Sequence, residues 1–136
     1  ALDLKVPHKD IQELFRRMVF NIVFANIDDH LKNHSFMYNK ETNSWNLAPA
    51  YDLTYPLNIN LTFSNVTRAL SINHKRNKIT LEDVLTIAEA YVVKNPKGII
   101  KNIQEATLKW VSLCKEFEVP EKVREVIKKE FVILLE

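Results

Sequence analysis

Residues 9–25 repeat apolar side chains at helical spacing: Ile11, Leu14, Phe15, Met18, Val19, Ile22 and Val23. This is the signature of an amphipathic helix with one wide apolar face. Phe20 and Phe24 widen that face further, so the helix is expected to be central and covered on more than one side. Directly after it comes Asn26-Ile27-Asp28-Asp29-His30-Leu31-Lys32-Asn33-His34-Ser35-Phe36, which gathers two acids, two amides, a lysine and two histidines. Such a run cannot lie inside a core, because charges buried without partners cost too much. The helix therefore delivers a charged loop at the end of a rigid rod, which is where a functional group is best mounted.

The rest of the chain reads as short elements around that helix. Ser35 to Tyr38 and Trp45 to Leu47 flank a polar stretch, Asn39-Lys40-Glu41-Thr42-Asn43-Ser44, and predict a β-hairpin. Residues 54–67 hold Pro56 and several asparagines with no period, and read as an irregular excursion. A second short hairpin is expected from residues 69–73 and 77–79. Thr80 is a helix cap with Asp83 three residues on, leading into Val84, Leu85, Ile87, Ala88, Tyr91 and Val92. After Asn95-Pro96-Lys97-Gly98, one long helix is expected to run through Ile99, Ile103, Trp110 and Cys114. Val119-Pro120 ends it, and a last helix is expected to carry Val123, Val126, Ile127, Phe131, Ile133 and Leu134. Residues 1–136 thus form a single, mainly α domain with one or two small hairpins, and residues 1–8 are its lead-in.

Composition removes several classes of function. Gly98 is the sole glycine, and a phosphate-cradling glycine loop needs several residues free to take positive φ, so no such loop is present. A net charge of +2 gives no case for nucleic acid by itself. One cysteine, Cys114, excludes an internal disulfide and suits a reducing compartment; on the apolar face of its helix it reads as core. The sequence shows no signal peptide and no apolar span of membrane length.

Asp28, Asn33 and Asp52 form a set that occurs in phosphoryl transfer: an acid, an amide five positions later, and an acid beyond a hairpin. In that chemistry the first acid orients the substrate hydroxyl and takes its proton, while the amide and the last carboxylate hold Mg²⁺ against the nucleotide phosphates. Acids at a helix end can also be plain turn formers. The five-residue offset singles out Asp28. His30 and His34 have metal-ligand spacing, but a zinc site wants a third ligand and no further histidine or cysteine is close in sequence. Lys32 is either a phosphate contact or a solvated lysine. The run His74-Lys75-Arg76-Asn77-Lys78 is most simply a solvated turn, with a nucleic-acid or acidic-partner contact as its other reading. Trp45 and Trp110 read as packing residues.

The run Asn26 to Phe36, with Leu47-Ala48-Pro49-Ala50-Tyr51-Asp52-Leu53, resembles the HipA-like serine/threonine kinases of bacterial toxin–antitoxin systems. Their catalytic loop reads much like Asp-x-His-x-Lys-Asn, and their metal-binding acid lies in a Pro-x-Tyr-Asp segment. Residues 68–73 and 79–85 also look like that family, so the resemblance covers roughly the first ninety residues. It implies the helical C-terminal lobe of a protein-kinase-like fold, with Asp28 as base, Asn33 and Asp52 on Mg²⁺, and ATP as phosphoryl donor. From the same resemblance, Asp29 is expected to face solvent. His30 falls on a motif position, where it would hold the loop by hydrogen bonds; the Asp-x-His-x-x-Asn loop of phosphatidylinositol kinases is similar. The family often has a glycine near His74, and its absence here argues against a type I′ turn. A cytoplasmic kinase with a protein substrate and an antitoxin-type partner is further implied, with nucleic acid reached only indirectly and no membrane. A kinase cleft also needs a second wall, a strand lysine and a loop over the phosphates. This chain is expected to be one lobe without that nucleotide-binding wall, and so inactive alone. The other readings are a split or degenerate relative that binds a protein, and a basic helical nucleic-acid binder.

Overall fold

The computed structural model describes residues 1–56 and 67–136. The chain runs through α1 (His8–Val23), a 3₁₀ turn (Leu31–Asn33), the hairpin strands β1 (Phe36–Asn39) and β2 (Ser44–Leu47), and then α2 (Leu81–Ala90) and α3 (Pro96–Ala106). A second 3₁₀ turn (Thr107–Lys109), α4 (Trp110–Glu116) and α5 (Glu121–Lys129) complete it. Among the described residues the architecture is mainly helical with one two-stranded antiparallel hairpin, as the sequence pattern predicts. No helix among the described residues is long and apolar enough to cross a membrane.

Helix α1 is the core of the molecule. Phe15, Val19, Ile22 and Val23 are buried with Val84 and Ala88 of α2, with Ile99, Ile100 and Ile103 of α3, and with Ile72 and Leu134. Burying side chains of this size stabilises by about 1.5–3 kcal/mol each relative to exposure, so this cluster holds the helices together. The helix stops at Ala25, whose φ is 56°. A left-handed residue just past a helix end is usually glycine; here the buried Ala25 takes that geometry and turns the chain into the loop.

Sequence expectation and structure diverge at three described places. The long helix predicted across residues 99–114 is broken at Thr107–Lys109, where the Thr107 hydroxyl donates to the Gln104 carbonyl at 2.6 Å. A threonine bonding back into the preceding turn commonly bends a helix. The last helix ends at Lys129, and residues 131–136 carry no regular secondary structure. Gln104 holds that tail, donating to the Leu135 carbonyl and accepting from the backbone N–H groups of Leu134 and Leu135. The second hairpin is only a two-residue turn, closed by Ile72 and Lys75 bonding to each other at 2.8 and 2.9 Å. Asn73 and His74 between them have φ of 48° and 65°. This is the type I′ pattern, which the missing glycine had argued against; an asparagine tolerates positive φ better than most residues. The irregular excursion expected over residues 54–67 lies mostly outside the described residues.

Gly98 serves a close approach. A Cβ there would sit 2.3 Å from the Asn95 side-chain nitrogen, because the Asn95 side chain caps α3 through the Gly98 N–H. On α2 the expected cap is present in full: Thr80 Oγ1 accepts from the Asp83 N–H, and the Asp83 carboxylate accepts from the Thr80 N–H.

Candidate active site

The polar face of α1 sets up the site. Asp10, Arg17 and Asn21 are buried on a helix whose other buried positions are apolar. Their spacing of seven and then four residues places them on one stripe. Asp10 accepts the Leu47 N–H at 2.8 Å and so fixes the end of β2. Arg17 donates through Nη2 to the Ala48 carbonyl at 2.7 Å, bracing the segment that leads to Asp52. Asn21 accepts from Asn26 Nδ2 at 3.1 Å, and the same amide nitrogen reaches the Asp52 carbonyl at 3.3 Å. Asn26, 2% exposed, thus ties the start of the loop to the backbone of Asp52.

Within the loop, Asn33 Nδ2 donates to the Asp28 carbonyl at 2.9 Å. This bond closes residues 28–33 into a turn. The Asp28 side chain points outward with 56% exposure, and His30 Nε2 stands 3.7 Å from its Oδ1. Tyr51 donates its hydroxyl to the Lys32 carbonyl at 2.6 Å, joining the loop to the Asp52 segment, while the Lys32 side chain is exposed. The hairpin returns the chain so that Asn33 and Asp52 line one small pocket of about 10 Å³ with Arg17, Asn21, Asn26, His34 and Tyr51. Burial and the nearby Arg17 charge lower the pKa of His34.

Asp29 overturns the expectation that it faces solvent: it is 4% exposed. Its Oδ2 receives Arg68 Nε at 3.0 Å, and its Oδ1 receives the Leu70 N–H at 3.1 Å. The physical reason is a buried cation that no local pattern announces, since Arg68 lies 39 residues away.

Residues 2–129 match the family of the HipA-like C-terminal domain. The chain belongs to that family. Among curated proteins none matches it. In this HipA-like domain the sequence-predicted residues fall into two groups. Asp28, His30 and Asn33 lie together on one loop, and Asp52 comes to Asn33 through the pocket they share. Lys32 is not joined to them: its backbone carbonyl accepts from the Tyr51 hydroxyl, and its side chain is exposed. Sequence reasoning missed Asp10, Arg17 and Asn21, which a polar stripe on an otherwise apolar helix could have signalled, and Arg68, for which no local signal exists.

The pocket's lining includes residue types that can serve a hard cation. Mg²⁺ prefers oxygen ligands and binds through one or two carboxylates. Asn33 and Asp52, which line the pocket, are residues with such oxygens, and Asn26 Oδ1 is a buried acceptor without a partner among the described residues.

Proposed function

We propose that this domain is the catalytic lobe of an ATP- and Mg²⁺-dependent serine/threonine kinase of the HipA-like, toxin–antitoxin type. The observation that supports it most is the placement of Asp28. An exposed carboxylate projects from a loop closed by its own backbone, beside the pocket that Asn33 and Asp52 line. Asp28 orients the substrate hydroxyl and accepts its proton as that oxygen attacks the γ-phosphoryl group. His30 sits against the Asp28 carboxylate and restricts its swing. Asn33 and Asp52 would hold Mg²⁺, whose charge offsets that on the phosphoryl oxygens. Lys32, exposed at the loop, is the candidate contact to a phosphate.

Positioning supplies most of phosphoryl-transfer catalysis. A kinase cleft also needs a strand lysine and a covering phosphate loop, so the 136-residue chain by itself is expected to transfer no phosphate. A protein substrate and an antitoxin-type partner are part of the same proposal and rest on the resemblance alone.

The test is transfer from labelled ATP by the full-length protein. Asp28→Asn should lower the rate by on the order of 10²–10⁴ while nucleotide binding stays nearly intact. Asp52→Asn should weaken the metal–nucleotide complex itself. If both variants work as well as the unsubstituted protein, the site assignment is wrong and the domain is a protein-binding module.

A further inference from the structure

We infer that Asp29 and Arg68 are positioning residues, a buried ion pair that clamps the Asp28 loop onto residues 68–70 and fixes where the Asp28 carboxylate points. This rests on the phosphoryl-transfer reading of Asp28.

Both neighbours of Asp28 are tied to the same short segment. On one side the Ala69 N–H donates to the Ile27 carbonyl at 2.8 Å. On the other, the Asp29 carboxylate accepts from Arg68 Nε at 3.0 Å and from the Leu70 N–H at 3.1 Å. Residues 27 and 29 therefore hold the backbone of residue 28 between them, and its side chain alone stays exposed. Arg68 reaches further with Nη2, which donates to the carbonyls of Asn21 and Asn26 at 3.0 Å each. One guanidinium thus joins the last turns of α1, the first residue of the loop and the acid beside Asp28.

The clamp has its own anchor. The Arg68 N–H donates to the Arg76 carbonyl at 3.0 Å, and Arg76 returns bonds to the carbonyls of Arg68 and Ala69 at 2.8 and 3.1 Å. The Asn73–His74 turn brings Arg76 back to that position.

A buried ion pair is weak grounds for stability, because apolar side chains of like volume often serve as well. What apolar side chains cannot do is reach several backbone groups in fixed directions. A planar guanidinium with its donors in a fork does so. The pair is thus better explained by the geometry it imposes than by the stability it adds. A small displacement of a reacting group is enough to lose on the order of 10²-fold in rate.

The experiment compares full-length protein with Asp29→Asn, Arg68→Lys and Arg68→Met, and with Ile103→Val as a mildly destabilised control in the core. Phosphoryl transfer and amide hydrogen exchange of residues 26–34 are measured on each, under conditions where each is folded. Asp29→Asn and Arg68→Met should lower kcat by about 10- to 100-fold with KM for Mg-ATP little changed, and should speed exchange of the loop. Arg68→Lys should recover part of kcat, since it restores the charge but not the fork. Ile103→Val should change neither readout. If Arg68→Met does not fold, the isosteric Asp29→Asn and the charge-preserving Arg68→Lys decide. Loop exchange and kcat matching the control in those variants would overturn the clamp. If the unsubstituted protein transfers no phosphate, the kinase reading fails, and loop exchange still decides the clamp.

Discussion

Asp29 and Asp83 are both nearly inaccessible, at 4% and 1% exposure, and each faces a cation, yet the surroundings differ in kind. Asp83 finds its partners close by in sequence: Thr80, Asn73 at 2.9 Å and Lys75 Nζ at 2.8 Å. Lys75 keeps half its side chain in water. Asp29 has no such neighbourhood, and its cation, Arg68, is itself buried. Removing a partner therefore means different things. Around Asp83 the donors of Thr80 and Asn73 remain. Around Asp29 a bare charge would be left in the interior. One aspartate finishes a helix, and the other holds a loop in place.

The substitutions that sharpen this contrast can be ranked by expected effect on unfolding free energy. Arg68→Met should be the largest, about 3–5 kcal/mol, the usual result of stripping one partner from a buried pair. Denaturant titration would measure it, and a loss under about 1 kcal/mol would place Asp29 in the same class as a surface acid. Thr80→Ala should cost about 1 kcal/mol, the value of one helix cap. Lys75→Met should cost less than about 1 kcal/mol, because its charge is half solvated. A Lys75→Met variant as unstable as Arg68→Met would erase the distinction.

The smallest effect is a pH slope. Lys75, the Thr80 N–H and Asn73 hold the Asp83 carboxyl well below the usual carboxylate range. A folded-state pKa below the unfolded one adds stability that is present above about pH 4 and is lost as pH falls from there. Acid titration of the denaturation midpoint should show that decline, and Asp83→Asn should flatten it. An unchanged slope in Asp83→Asn would remove Asp83 as its source.

The same contrast explains what could be read from the sequence. The α1 face, the first hairpin and the Thr80–Asp83 cap depend on residues near one another in the chain, where periodicity and cap chemistry apply. Asp28 and Asn33 were visible for the same reason, being five residues apart. Asp29 was misread because the residue that decides its burial is distant. The break at Thr107 and the non-helical tail past Lys129 were hidden too, since apolar residues recur through both and do not reveal where the backbone leaves the helix. The type I′ turn at Asn73 and His74 was argued against from a missing glycine. In this domain left-handed positions are filled without glycine, at Ala25, Asp52 and Asn95 among others.

The central claim is that two neighbouring acids do different work, Asp28 the chemistry and Asp29 the holding. Its most direct test measures phosphoryl transfer and Tm together for Asp28→Asn and Asp29→Asn in the full-length protein. Asp28→Asn should lose on the order of 10²–10⁴ in rate with Tm unchanged, because its side chain is exposed. Asp29→Asn should lower both rate and Tm. An Asp28→Asn variant that keeps the unsubstituted rate, or that loses as much Tm as Asp29→Asn, would contradict the account.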